Sequence, residues 1–524
     1  MEEKIKRALV SVSNKDGIVE FSRGLSELGI ELVGTGRTRQ LLLDEGIDCR
    51  AVEDVTSFPE MMGGRVKTLH PRILGGILAR RDVKGDVDAA NEHGIPFFDL
   101  VAVNLYPFQE AVQKHPEDLG KAVEQIDIGG PTMVRAAAKN FRHVAVVIDP
   151  DRYRDILEEL RTNDCSLGYE TRLALSIDAF SHVSLYDSII TRHLRKFLSG
   201  QEGTFPQELV IPFVKNMELR YGENPHQNAA FYTDPITRNG WTSCFDQLGG
   251  KALSTNNILD ADSAWRLIAE LEGTACAIIK HNNPCGVGVS SNLNDAYALA
   301  LQTDPISAFG GIVAVNETVD EKTAVLMSKH FFEVVMAPDF DSSALDLLKK
   351  KKNLRILRIE PGSADKADGS LWDVKTVEDG ALIQERDTRN YDQDKLKVVT
   401  AVKPTEDQRR ALELAWIVAK HVKSNSIVLG NETGTLGIGA GQMSRVDSVR
   451  ISIDKAKRFG LSIDGAVMAS DAFFPFRDGI DEAASAGVKA VIQPGGSIRD
   501  EEVIKAADEF GVTMIFTGMR HFRH

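Results

Sequence analysis

Apolar and polar positions follow two alternating periods along the first 150 residues. Arg7–Val12 (RALVSV) is a short apolar run and predicts a buried strand. In Gly17–Leu28 the apolar residues Ile18, Phe21, Leu25 and Leu28 recur at helical spacing. Glu31–Val33 predicts a second strand and Thr38–Asp44 a second helix. Asp99–Leu105 (DLVAVNL) and His143–Ile148 (HVAVVI) predict further buried strands, with Pro131–Lys139 helical between them. Strands that alternate with helices predict an α/β fold with a parallel sheet covered on both faces. Asp151–Phe197 reads as helical. Ser199–Pro206 (SGQEGTFP) then breaks the periodicity, which sets a domain boundary: residues 1–199 and 200–524. Beyond it the alternation resumes. Strands are predicted at Ala275–Ile279, Gly311–Val315, Ser426–Leu429 and Ala490–Ile492, and helices at Asp295–Gln302 and Ala411–His421. Glu360–Ser370 is polar and reads as a surface excursion. No short-period repeat is visible.

Composition narrows the classes. The chain has 524 residues, with 62 basic against 76 acidic side chains, a net charge of −14. That balance argues against a nucleic-acid partner, which needs a basic face. No apolar run approaches the roughly 20 residues that span a bilayer. The first residues, Met1 to Arg7, carry no apolar signal core. A cytoplasmic protein without a membrane partner is expected. Five scattered cysteines without CxxC spacing predict buried or free thiols rather than a disulfide framework or a zinc site.

Several stretches carry candidate chemistry. Ser11-Val-Ser13-Asn14-Lys15 and Gly34-Thr35-Gly36-Arg37-Thr38 each follow a strand and open a helix. Small, hydroxylated residues there leave amides free for an anion, although simple capping by Ser and Thr would give the same pattern. Neither turn is a dinucleotide fingerprint, Gly437-x-Gly439-x-Gly441 has the wrong spacing, and no P-loop exists. Gly63–Pro71 concentrates Arg65, Lys67, Thr68 and His70 in one loop. Asp127 lies between Ile126 and Ile128 at a strand end, where open α/β sheets bind ligands; a capping Asp is the alternative. Leu219–Gln227 (LRYGENPHQ) is dense in hydrogen-bonding groups. Lys280-His281-Asn282-Asn283-Pro284-Cys285-Gly286 follows an apolar strand. A cation directly before His281 disfavours a second positive charge beside it and leaves a neutral general base, against the structural role that a lone His usually has. Ser470–Phe476 (SDAFFPF) is either core or an aromatic wall for a flat heterocycle. The basic end Gly518–His524 is of the kind that usually frays. Zinc-dependent deamination needs HxE followed by PCxxC. His115-Pro-Glu117 has no such partner, so no metal is expected.

Together these stretches resemble the bifunctional family that is AICAR transformylase and IMP cyclohydrolase. The resemblance rests on SVSNKDGIVEF, GRVKTLHP, NLYPF, IDIGGPT, AAAKN, LRYGENPHQ, KHNNPCG, DPISAFGG, GIGAGQMSRVD, SDAFFPF, QPGGSIRD and GMRHFRH, nearly end to end. It implies a Rossmann-like, methylglyoxal-synthase-like cyclohydrolase domain followed by a transformylase of two cytidine-deaminase-like lobes without their zinc. It also implies a homodimer with transformylase sites across its interface, and 10-formyltetrahydrofolate as co-substrate. By motif match His281 is the general base, Lys280 stabilises the transition state, and Asn425 holds substrate and formyl group. AICAR contacts fall on Arg220, Tyr221, Asn257, Gly310, Glu333 and Arg445. The folate side falls on Val446, Phe473, Pro475, Phe476, Asp478, Ser497 and Arg520. For the cyclohydrolase, Ser13, Asn14, Lys15, Thr35, Gly36, Arg37, Thr38, Arg65, Thr68, Asn104 and Ile128 bind the nucleotide, and Lys67, Tyr106, Asp127 and Lys139 run the ring closure. Three positions depart from the family's usual pattern: Arg37 in the second turn, Leu74 where the family has His, and Thr255. Two other readings are separable by experiment. A phosphosugar lyase fused to an inactive module predicts no formyl transfer, and a non-catalytic nucleotide-binding protein predicts that His281→Ala changes nothing.

Overall fold

The structure is a computed structural model that describes residues 3–198, 205–236, 240–360 and 372–524. Residues 199–204 of the expected boundary and 361–370 of the polar excursion lie outside the described residues. The chain divides into two compact units, Met1–Phe213 and Val214–His524.

The first unit is built on a five-stranded sheet in the order β3-β2-β1-β4-β5. Its strands are β1 (Arg7–Val12), β2 (Glu31–Gly34), β3 (Arg50–Ala51), β4 (Leu100–Asn104) and β5 (Ala145–Val147), and every pairing is parallel. The predicted strands and helices therefore form, with ends shifted by one or two residues. β4 and β5 are buried along their whole length, as strands covered on both faces must be. Helices Ile18–Glu27, Gly36–Asp44 and Gly129–Lys139 return the chain between strands. The stretch predicted as helical beyond Asp151 forms Tyr153–Thr162 and the 27-residue helix Tyr169–Arg195. The latter packs against the helix Gly129–Lys139: Ser176 Oγ donates to Ala138 O at 2.9 Å.

The second unit holds a twelve-stranded mixed sheet and two small hairpins. The hairpins are β6 (Val214–Glu218) with β7 (Ala230–Thr233), and β14 (Trp372–Val377) with β15 (Gly380–Glu385). The sheet comprises β8 (Phe245–Gly249), β9 (Thr274–Lys280), β10 (Asn283–Ser290), β11 (Ile312–Val315), β12 (Val334–Ala337) and β13 (Arg355–Ile359). It continues with β16 (Lys397–Val398), β17 (Ile427–Asn431), β18 (Gly434–Gly439), β19 (Val467–Ser470), β20 (Ala490–Gln493) and β21 (Thr513–Phe516). Their spatial order is β16-β21-β20-β19-β17-β18-β10-β9-β11-β12-β13-β8. One succession of elements occurs twice: helix, antiparallel hairpin, then three helix–strand steps. It runs from Thr255 to Ile359 and from Glu406 to Phe516. The two lobes meet edge to edge at β10 and β18, which pair antiparallel with Gly288 opposite Gly434.

Strand alternation divides the core three ways. One face carries Ala277, Ile279, Met336, Val428, Ala469 and Ile492 under helices Thr255–Ala269 and Glu406–Lys420, whose Trp265 and Trp416 join a single cluster across both lobes. The opposite face is split. Ile278, Val313 and Val335 pack in the first lobe, and Leu429, Met468 and Val491 in the second. The glycine-rich second strands of the hairpins bring helices close. A Cβ at Gly286 would lie 2.0 Å from Ala300 O, and one at Gly439 would lie 2.0 Å from Ser448 O. The failed dinucleotide spacing around Gly439 is thus a packing device. Cys276 and Cys285 are buried in this unit, and burial pushes the Cys285 thiol up to about 12.

Candidate active sites

In the first unit the chain runs from β1 to β3 on one side of the sheet and returns to β4 and β5 on the other. The switch point lies between the carboxyl ends of β1 and β4, where open α/β sheets form a crevice. Asn104 closes β4 there. Its Oδ1 accepts the amides of Ser13 at 2.5 Å and Asn14 at 2.9 Å, and its Nδ2 donates to Asn14 O at 3.1 Å. The second turn locks to the first through Ser11 and Thr35, whose hydroxyls share a hydrogen bond of 2.7 Å. Lys15 Nζ donates to Thr38 Oγ1 at 2.7 Å and to Val12 O. Burial, with repulsion from Arg37, pushes this lysine down to about 8. Arg37 itself is exposed on the first turn of its helix.

The loop bearing Arg65 and Lys67 folds onto these turns. A Cβ at Gly36 would lie 2.6 Å from Lys67 Nζ, and one at Gly129 would lie 2.8 Å from Thr68 Oγ1. Lys67 pairs with Glu60 at 2.7 Å. Arg65 pairs with Glu124 in the open. Asp127 Oδ1 accepts the Gly130 amide at 2.9 Å, so the capping alternative is realised, and its own amide donates to Tyr186 Oη at 2.8 Å. Burial raises the Asp127 carboxyl, and the Gly130 and Gly129 amides offset part of that. Tyr106 and Ile128 are exposed. Lys139 is exposed at the far end of the 11-residue helix Gly129–Lys139, about 15 Å from its start at 1.5 Å per residue. It does not join the cluster.

In the second unit the antiparallel junction gathers the candidates on one end of the sheet. β9 ends there at Lys280, and β11, β12 and β13 begin there. β17 begins beside the end of β18, and β19, β20 and β21 end there. The β9–β10 turn consists of His281 and Asn282, both left-handed at φ 53° and 61°, with Lys280 opposite Asn283. His281 is exposed, and no described residue bonds its ring. Lys280 Nζ donates to Phe309 O at 2.7 Å, next to Gly310. Across the lobe junction Asn283 Oδ1 accepts the Lys423 amide at 2.9 Å, which sets Ser424 and Asn425 beside the turn.

Asn425 is held on every side. Its Nδ2 donates to Gln442 O at 2.8 Å and Met443 O at 3.1 Å, and its Oδ1 accepts Arg445 Nη2 at 2.7 Å. Arg445 is itself buried, paired with the fully buried Asp471 and bonded to Ser470 Oγ at 2.8 Å. Glu333 is engaged by buried Arg355, and Asn257 closes a capping box with Ser254. Arg220 stacks over Tyr221 at 5.3 Å, and the Tyr221 carbonyl accepts the Thr255 hydroxyl at 3.2 Å. Of the three phenylalanines, Phe474 is core, while Phe473 and Phe476 stay exposed. Pro475 and Asp478 are exposed with them, Val446 and Ser497 are half-buried, and Arg520 is exposed over Phe522.

The terminal segment does not fray. His521 is buried, bonded to Asp387 Oδ2 at 2.6 Å and Asn390 O at 2.8 Å. Arg523 donates to His421 O at 2.7 Å and Ser263 Oγ at 2.9 Å. Sequence reasoning missed the acidic anchors Glu60, Asp260 and Asp471. Asp471 lies inside the SDAFFPF stretch, where the phenylalanines drew the reading, and Asp260 falls three residues after Asn257 on the same helix.

The crevice turns on one unit and the exposed Lys-His turn on the other form two separate candidate sites; the amides of Ser13 and Asn14, expected to be free for an anion, are instead taken by Asn104. The profile of the AICARFT/IMPCHase bienzyme family matches residues 137–455, and that of the MGS-like domain matches residues 17–132. The chain belongs to the AICARFT/IMPCHase bienzyme family. It is a bifunctional formyltransferase and IMP cyclohydrolase of the last two steps of purine biosynthesis. A solved structure described as the crystal structure of ForH is 37% identical over 36% of this chain and 99% of its own, with a TM-score of 0.33.

Proposed function

We propose that the sheet end around His281 transfers a formyl group from 10-formyltetrahydrofolate to the 5-amino group of AICAR, and that the crevice between β1 and β4 closes the product to IMP. The observation that carries this is the convergence of Lys280, His281 and Asn425 at the lobe junction, in a chain of this family. His281 takes a proton as the amine attacks the formyl carbon. The new C–N bond forms, the bond to the folate nitrogen breaks, and that nitrogen leaves protonated. Lys280 offsets charge on the formyl oxygen. Arg220, Tyr221, Asn257, Gly310 and Glu333 face AICAR. Phe473, Phe476 and their neighbours Val446, Pro475, Asp478, Ser497 and Arg520 face the folate. Arg445 acts through Asn425, since its guanidinium is spent on Asp471 and Ser470.

In ring closure the carboxamide nitrogen attacks the formyl carbon and water departs. Lys67 and Tyr106 stabilise the developing oxyanion, and Asp127, held towards its protonated form by burial, moves a proton. The turns from Ser13 to Lys15 and from Thr35 to Thr38, with Arg65, Thr68 and Asn104, hold the nucleotide, and Ile128 packs beside it. The reading includes a cytoplasmic homodimer.

Mixing the protein with AICAR and 10-formyltetrahydrofolate tests both steps by mass spectrometry. IMP with tetrahydrofolate supports the proposal, and folded protein giving no product refutes it. His281→Ala should lower formyl transfer by about 10²–10⁴, and an undiminished rate would remove His281 from the mechanism.

A further inference from the structure

The His281 turn is an unusual one to leave unsupported. Two-residue hairpin turns with both residues left-handed generally draw on glycine at one position, and this one has none. Most of its hold comes from outside the hairpin. The amide of His281 donates to Asp260 Oδ2 at 3.1 Å, and that of Asn282 to Asp260 Oδ1 at 2.6 Å, one to each carboxylate oxygen. Asn283 Nδ2 donates to His281 O at 3.0 Å, and Ser263 Oγ bonds Asn282 Oδ1 at 3.0 Å. Every polar backbone atom of His281 is thereby engaged, while its ring is left for other work.

Asp260 and Ser263 belong to the same 15-residue helix as Asn257, on successive steps of three. That helix is fixed by its capping box and by the core cluster that spans both lobes. The anchor is therefore rigid where the turn alone is not.

We propose that Asp260 is the positioning residue for His281, clamping both turn amides so that the imidazole stands at the substrate amine. This rests on the reading of His281 as the general base. Small displacements of a catalytic group are expensive in rate, about 10²-fold for 1 Å. Asp260→Asn keeps the size but gives one amide a donor to face instead of an acceptor. It should lower kcat for formyl transfer about tenfold or more while KM for AICAR stays within about threefold, the pattern of a group that acts only in the transition state.

The test measures Asp260→Asn and His281→Ala side by side. If His281→Ala keeps the wild-type rate, the base assignment itself fails. If His281→Ala is inactive and Asp260→Asn keeps kcat within about twofold, or raises KM alone, the positioning role is overturned and the base assignment stands. Should Asp260→Asn not fold, the wild-type protein decides. With selective ¹⁵N labelling of His and Asn, the His281 and Asn282 amide protons should move together as one acidic group protonates. Amides that do not respond, or respond separately, overturn the clamp.

Discussion

At the scale of single residues, function here depends on how cations are shared between protein and substrate. Lys15 is held near 8 by burial and by Arg37, so its charge disappears within the range of ordinary assays. We expect KM for formyl-AICAR to rise as pH passes about 8, and Lys15→Arg, which keeps its charge, to flatten that rise. Lys67 pairs with Glu60 in this structure; in the proposed ring closure it exchanges that partner for the substrate oxygen. Lys67→Ala should slow ring closure by about 10²–10³, so that formyl-AICAR accumulates from AICAR; IMP formed at the wild-type rate would exclude the role. The residues that touch substrate in this scheme were legible in the sequence because they sit in dense polar motifs at strand ends. Their anchors were not. Asp471 lies 26 positions from Arg445, and Asp260 lies 21 from His281. No local pattern pairs them.

At the scale of elements, legibility followed apolar continuity. β1, β4, β9 and β20 were readable because each centres on a short apolar run that the fold buries. β10 (NPCGVGVS) and β18 (GTLGIG) were not, since their glycines read as breakers. Those glycines let helices Leu293–Thr303 and Arg445–Arg458 lie against the strand backbone. Missing them also hid the antiparallel hairpins, and with them the mixed character of the second sheet. Gly439→Ala tests the packing. With Ser448 O 2.0 Å from the new methyl, the strand and helix must separate, and we expect a loss of about 1–3 kcal/mol or more. Denaturation that is unchanged by this substitution would show that the contact is not needed.

At the scale of the molecule, the two lobes repeat one succession of elements over about a hundred residues each, too long to leave a short-period signal. The terminal segment, of a composition that ordinarily frays, is instead held through His521, whose ring packs edge-on against Trp416 of the helix that ends at Lys420, and through Arg523, which donates to His421 O just beyond it. His421, beside it, is buried. Desolvation holds its imidazole below the ordinary range despite its bond to Glu270. The unfolded chain takes up that proton near pH 6.5 while the folded chain resists it. Stability should therefore be complete above about pH 6.5 and fall as pH drops below it. Melting at pH 7.5 and 5.5 should show a smaller difference in His421→Gln than in the wild type.

The single apolar face that runs beneath Trp265 and Trp416 has a practical consequence. Cut between its lobes, each half would keep its own helix over its strands but bare the seam where the cluster continues, together with the unpaired edge of β10 or β18. Exposed apolar surface and open strand edges are what drive aggregation. Neither half is a usable fragment for expression or crystallisation, and a split reporter built on that seam would precipitate before it reassembled.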